Sequence, residues 1–304
     1  MERILTPTAQ AVLDQPTEVR TTYILEDRFV EYPRARTYTN RMRALLTAPT
    51  VGRPDCLIFV GEACNGKTSL VRNFVRHYAA PVDDPNEPSA RIPALHITFR
   101  AEVDEVRLSR WILEALCAPY KDKDQPDKNF RMIRGLTESL SVRLLVFDEF
   151  HHILNTTAQR QGRALNAIKT LTTELQLPII ATGIPEVCVL LRKDPQIYRR
   201  FKQLPLPLWK YGMEFRQFLA GLEQDLPLRK ASNLAGKDLS LQIYNLTEGL
   251  LGEVIALIHC AATAALDTTE QITPEVIASL DFVPPSLREA ELARELNLQP
   301  DEEN

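Results

Sequence analysis

CLIFVGEACNGKTSLVRNFVRHY, residues 56–78, is the stretch on which the fold of this 304-residue chain turns. Cys56 to Val60 is a short, wholly apolar run of the kind that fills a parallel sheet buried on both faces. Gly61-Glu62-Ala63-Cys64-Asn65-Gly66-Lys67-Thr68 then fits G-x-x-x-x-G-K-[ST], and Leu70, Val71, Phe74 and Val75 follow at helical spacing. Glycines at those positions let the backbone curl until successive N–H groups face a β-phosphate, and the helix behind presents its positive end. Lys67 then bridges the β- and γ-phosphates of ATP, and the Thr68 hydroxyl ligates Mg²⁺. The stretch expected to hold nucleotide runs from Gly61 to Ser69.

Downstream, apolar runs alternate with amphipathic ones. ALHITF (94–99), LLVF (144–147) and PIIAT (178–182) read as strands, and 103–116, 129–140 and 163–175 as helices. That alternation predicts βαβ units and a parallel sheet. Asp148 and Glu149 follow the third strand, at the carboxyl end where open α/β sheets bind ligands. Asp148 is placed to hold Mg²⁺ and Glu149 to polarise the attacking water, so hydrolysis is expected as well as binding. Thr182 ends the fourth strand, where a hydroxyl either reaches the γ-phosphate or caps the next helix. Arg199 and Arg200 precede a short strand expected over 203–208; either arginine, reaching a neighbouring subunit's γ-phosphate, would stabilise charge in the transition state, or the pair is simply exposed surface.

These motifs, with Leu-Pro-Leu-Pro-Leu-Trp at 204–209 and Glu248-Gly-Leu-Leu-Gly-Glu-Val254, resemble the TniB/TnsC group of AAA+ ATPases of Tn7-like and mercury-resistance-type transposons, TniB more closely. The resemblance covers about residues 20 to 280. It implies an α/β fold, a P-loop AAA+ parallel sheet with flanking helices followed by a small all-helical lid domain. It also implies a catalytic set of Lys67, Glu149, Thr182 as sensor 1, and Arg199 or Arg200. The implied activity is ATP-dependent oligomerisation on double-stranded DNA as a ring or helical filament, recruitment of a DDE-type transposase with a possible TniQ-like targeting adaptor, and disassembly on hydrolysis. Two positions depart from the pattern. Cys64 stands where many AAA+ proteins have Gly, which costs little in an ordinary backbone conformation. The sensor 2 stretch, Gly249-Leu-Leu-Gly252-Glu253, has no arginine.

Phosphate contacts to DNA call for Lys or Arg on an exposed surface. The candidates are Lys121, Lys123, Lys128, Arg131 and Arg134, with Arg160 and Arg163 after the third strand. A merely solvated face is the plainer alternative, because Asp122, Asp124 and Asp127 interleave the lysines. The five histidines show no metal-ligand spacing, and Trp111 and Trp209 read as core or interface anchors.

With 44% hydrophobic and 25% charged residues, the composition excludes collagen-like, coiled-coil and globally disordered classes. The length suits about two domains. The expected organisation is an N-terminal helical segment (1–50, with a helix near Tyr38 to Leu46), an ATPase core (51–210), a helical lid (211–283) and an acidic tail (284–304). Cys56, Cys64, Cys117, Cys188 and Cys260 form no C-x-x-C pair and read as reduced, mostly buried thiols. No signal peptide or membrane segment is expected, which points to a cytoplasmic protein without a membrane partner; the resemblance implies a bacterial, DNA-associated one. The net charge of -4 argues against a uniformly basic DNA binder. Residues 281–304 carry seven acids against two arginines, however, so residues 1–280 hold 34 basic and 33 acidic residues, a balance of +1. Two other readings compete: a helicase-loader-like ATPase of DnaC or IstB type, and a non-hydrolysing scaffold with structural nucleotide. Glu149 and the arginine pair argue against the scaffold.

Overall fold

The computed structural model describes residues 4–49, 52–82 and 90–295; the end of the acidic tail and part of the proline-rich connection (83–89) lie outside them. The chain forms two compact units, residues 34–207 and residues 1–33 with 208–304.

The first unit is built on a five-stranded parallel sheet of β1 (Cys56–Val60), β2 (Ala94–Thr98), β3 (Leu144–Asp148), β4 (Ile179–Gly183) and β5 (Phe201–Pro205). The spatial order is β2-β3-β4-β1-β5. Every residue of β3 and β4 is buried, as is all of β1 but Val60, which is why these strands read as unbroken apolar runs. β5, at one edge, buries only Phe201 and Leu204. It lies two residues ahead of the expected 203–208, and the reason is chemical: Phe201 already pairs with Cys56, while Pro205 and Pro207 have no N–H for the ladder.

Helices Lys67–Tyr78, Glu105–Ala115, Pro126–Ser139 and Ala158–Glu174 carry the crossovers. Asp104 and Thr157 cap two of them by accepting from Arg107 N and Arg160 N. In Lys67–Tyr78, Leu70, Val71 and Phe74 are wholly buried, worth roughly 1.5–3 kcal/mol each, which fixes the helix whose first turn completes the glycine loop. Phe99 packs on Phe147 and Phe150 at 5.2 and 5.5 Å between ring centroids.

The second unit is all helical. Its members include Pro7–Val12, Thr17–Leu25, Met213–Gln224, Lys237–Thr247, Leu251–Leu266, Pro274–Ala278 and Arg288–Glu295. The sequence division at residue 50 is not the one the structure draws, because residues 1–33 pack with the C-terminal helices. A buried Arg20 explains this. It binds both Glu270 oxygens, at 2.7 and 2.5 Å, and the Pro227 carbonyl at 2.9 Å. Trp209 stacks on Phe218 and meets Tyr32 edge-on, as a core anchor should. Among the described residues no single helix is long and apolar enough to cross a membrane.

The cysteines correct the sequence reading. All five are free, but only Cys56 is buried, its thiol pushed up to about 12 by that burial; Cys64, Cys117 and Cys260 are exposed, on a loop, past a helix end and on the outer side of Leu251–Leu266.

Candidate active site

β1, β4 and β3 are neighbours, so their carboxyl ends bring the glycine loop, Thr182 and the Asp148–Glu149 pair together. The loop is clamped from below. A Cβ at Gly61 would lie 2.4 Å from the Leu206 carbonyl oxygen, and the buried Asn65 amide donates to that same oxygen at 2.7 Å. Gly66 takes φ 78° at the mouth of the helix. Cys64 also sits in the left-handed region, at φ 55°, so it does not keep an ordinary backbone conformation, and a non-glycine residue there costs roughly 1–2 kcal/mol. Lys67 is buried, its Nζ donating to Gly61 O at 2.8 Å and Glu62 O at 2.6 Å. Burial pulls its pKa below the ordinary lysine value, against the opposing pull of the Glu149 and Asp148 carboxylates.

Asp148 is the hub. Its Oδ1 accepts from Thr68 Oγ1 (3.1 Å), from Glu149 N (3.1 Å) and from the Thr182 hydroxyl. Its Oδ2 is buried and accepts no hydrogen bond among the described residues, with His96 Nε2 at 3.8 Å. Burial would raise the carboxyl pKa, but His96, Thr182 and Thr68 together hold it below the ordinary aspartate value. The hydroxyl of Thr182 also accepts from Glu149 N at 3.2 Å, so it ties two strands and does not cap the next helix, which has no side-chain cap.

Glu149 stands at φ 57° and opens the 3₁₀ helix Phe150–Asn155. That turn sends Phe150 and Ile153 into the core and leaves Glu149, His151 and His152 part exposed beside one another. His151 Nδ1 lies 3.2 Å from Glu149 Oε2, and burial lowers the imidazole pKa despite that carboxylate. In the sequence His151 and His152 stand next to Glu149 and could support the site, but they show no metal-ligand spacing, because the spacing of a metal motif presumes an α-helix or a hairpin. Asn65 was expected within the nucleotide loop, though not its bond to Leu206 O; His96 was missed, and only its position on the strand beside Asp148 could have signalled it.

The model of the family described as Bacterial TniB protein matches residues 20–211. The chain belongs to the TniB family. No curated protein matches it. Among solved structures it is similar to the Aeropyrum pernix ORC1 protein in complex with DNA, at 14% identity and TM-score 0.63 over 92% of this chain and 72% of that one. It is also similar to the Aeropyrum pernix ORC2 protein in its ADPNP-ADP complexes (13%, TM-score 0.62, 91% and 74%) and to Cdc6p from Pyrobaculum aerophilum (14%, 0.57, 86% and 70%). Identities this low speak for the fold alone. The TniB chain has the AAA+ architecture, a P-loop parallel sheet with flanking helices and a small helical domain.

The remaining candidate positions of this TniB chain separate by their partners. Arg199 and Arg200 end the helix Pro195–Arg200, capped by Asp194, whose other oxygen binds Lys169 at 2.8 Å. The Arg200 guanidinium donates to Thr172 Oγ1, whereas Arg199 is exposed and has no partner among the described residues. Of the seven candidate DNA cations, Lys128 pairs with Asp124 (2.7 Å), Arg134 with Glu174 (2.5 Å) and Arg160 with Glu102 (2.6 Å). The side chains of Lys121, Lys123, Arg131 and Arg163 are exposed without a partner among the described residues. In the helical unit, Gly249 (φ 74°) has no room for a Cβ, which would lie 2.2 Å from Trp209 O, and Glu253 is held by Arg288 at 2.8 Å.

Proposed function

We propose that this TniB-family chain is an ATP-hydrolysing switch that assembles on double-stranded DNA, brings a DDE-type transposase to a target and lets go after hydrolysis. The hydrogen-bond hub at Asp148 carries the reading, since one buried carboxylate gathers the P-loop hydroxyl, the Glu149 backbone and Thr182. A buried Asp148 Oδ2 that accepts no hydrogen bond, next to the Thr68 hydroxyl, is the donor set that hard, oxygen-seeking Mg²⁺ takes. Thr68 and Asp148 would hold Mg²⁺, which would supply charge neutralisation to the phosphates. Loop N–H groups from Glu62 to Ser69 and the Lys67 ammonium bind the phosphates. Thr182 fixes the Glu149 backbone, so that the carboxylate takes the proton of the water attacking the γ-phosphorus. The bridging β–γ P–O bond breaks, and ADP and phosphate leave.

Arg199, exposed and uncommitted, is the arginine offered to a neighbouring subunit in a homo-oligomeric ring or filament, while Arg200 serves its own fold. A trans arginine contacts the γ-phosphate only while that phosphate exists, so hydrolysis shifts the population towards free subunits. The DNA contacts reduce to Lys121, Lys123, Arg131 and Arg163. Structural neighbours solved with DNA, the Aeropyrum pernix ORC1 protein and Drosophila ORC, support a DNA role for the fold. TniB membership supports transposition, with a transposase and a TniQ-like adaptor as partners. The test is phosphate release by the purified chain with and without duplex DNA. Stimulation by DNA is expected, and Glu149→Gln should keep ATP and DNA bound with no release. Normal turnover in that variant, or a wild type that binds DNA without stimulation, would sink the switch.

A further inference from the structure

We propose that Glu149, His151 and His152 form a site for a borderline-soft divalent cation, zinc in kind, separate from the magnesium position at Thr68 and Asp148. Their ligand atoms all lie within 4.8 Å of one another. The backbone produces the grouping. In a 3₁₀ helix residues three apart eclipse, so Phe150 and Ile153 share the buried side, and Glu149 and His152 the open one, with His151 between. The two imidazoles lie face to face, 4.9 Å between centroids and 22° apart in plane.

Two donors already stand at coordination spacing. His151 Nδ1 and Glu149 Oε2 are 3.2 Å apart, and two ligands on one tetrahedral zinc, each at about 2.0–2.1 Å, are about 3.3 Å apart. His151 Nδ1 is shielded from solvent and makes no well-formed hydrogen bond among the described residues, so its lone pair is available. His152 is part exposed and closes on the pair by rotating its ring. Its Nδ1 lies 3.2 Å from the Asn155 amide, which, turned to present oxygen, orients the ring and leaves Nε2 to bind. Two imidazoles and a carboxylate with a fourth position open to water make a zinc-type donor set, and one that magnesium avoids. Occupation takes the Glu149 carboxylate away from the attacking water, so nucleotide stays bound while turnover stops. That consequence rests on the proposed ATPase activity; the binding does not.

The experiment titrates the nucleotide-free full chain, in magnesium buffer, with Co²⁺ as a spectroscopic probe and with Zn²⁺ against a chromophoric chelator. One equivalent should bind, with the visible absorption of four- or five-coordinate cobalt. His151→Ala and His152→Ala should each lose at least about tenfold in affinity while still melting cooperatively and binding ATP. A six-coordinate cobalt spectrum, or undiminished affinity in the double variant, overturns the site. In the turnover arm, Zn²⁺ should inhibit wild type and spare His152→Ala. Equal inhibition of both would reject the site, whereas absence of turnover in zinc-free wild type would count against the ATPase reading and leave the cobalt result to stand.

Discussion

Replacing Thr182 by Val removes one buried hydroxyl with little change of shape, and that hydroxyl both donates to Asp148 and accepts from Glu149 N. Asp148 Oδ1 keeps two donors, Thr68 Oγ1 and Glu149 N, and Glu149 N keeps Asp148 as acceptor, so neither group is orphaned. The variant gives up one hydrogen bond to an ionised group, about 1.5–3 kcal/mol. Thr182 is 1% exposed, so water cannot take the vacated place. If the hydroxyl serves to hold Asp148 and Glu149 in the geometry of hydrolysis, that energy comes off the transition state. At about 1.4 kcal/mol per decade it amounts to a roughly 10- to 150-fold fall in turnover. The assay is phosphate release at saturating ATP, with binding of a fluorescent ATP analogue followed separately. Thr182→Ser keeps the hydroxyl and should stay within a few-fold. A Val variant that is folded, binds ATP and turns over within about threefold of wild type would refute the hub.

Arg199→Ala should lower turnover of the assembled protein by about a thousandfold with ATP binding intact, while Arg200→Ala, which frees Thr172, should show mainly as a loss of about 1 kcal/mol in thermal stability; equal kinetic losses would reject the division of labour. Changing Lys121, Lys123, Arg131 and Arg163 to Gln should lower the log–log salt slope of DNA binding by about 0.9 for each phosphate no longer neutralised, and changing the paired Lys128, Arg134 and Arg160 should leave it nearly unaltered. Arg20→Met leaves Glu270 with only the Arg229 backbone N–H at 3.0 Å and its guanidinium at 3.9 Å, and should destabilise the helical unit by about 1.5–3 kcal/mol in a melting experiment. Arg20, by its hydrogen bonds, holds Glu270 below the ordinary glutamate value of 4.5, so the contribution is complete above that pH and fades only as the pH falls through the lower folded value; wild-type melting that already weakens between pH 7 and 5 through this pair would contradict it.

Strands β1, β3 and β4 were legible because burial on both faces demands a continuous apolar run, and the phosphate loop because only glycine spacing lets a backbone curl so tightly. Asp148 and Glu149 were legible as a position at a strand's end. Their partners were not. That Thr182 ties Asp148 to Glu149, or that Thr172 occupies Arg200, depends on strand order and helix packing, which no local pattern encodes. Cys64 shows the same limit from the other side: the residue type suggests an ordinary conformation, and the loop imposes φ 55° regardless. The grouping of Glu149 with two histidines hangs on a single αL residue followed by a 3₁₀ turn, and neither leaves a periodic trace.

The helix Thr17–Leu25 gives the least sequence signal for a physical reason with consequences of its own. Its buried positions are Arg20 and Ile24, four apart, so the face it turns inward is half cationic and shows no apolar stripe. An arginine can occupy such a face only if its charge is met there, and Glu270 and the Pro227 carbonyl, some 200 to 250 residues away in the chain, meet it. Thr6 and Tyr23 add hydrogen bonds to Asp225, at 2.8 and 2.9 Å. Residues near the start of the chain therefore join the helical unit through polar contacts of long sequence separation, to Asp225, Pro227 and Glu270. Removing residues 4–33 would take Thr6, Tyr23 and Arg28 away from Asp225 and leave Glu270 with Arg229 alone among the described residues.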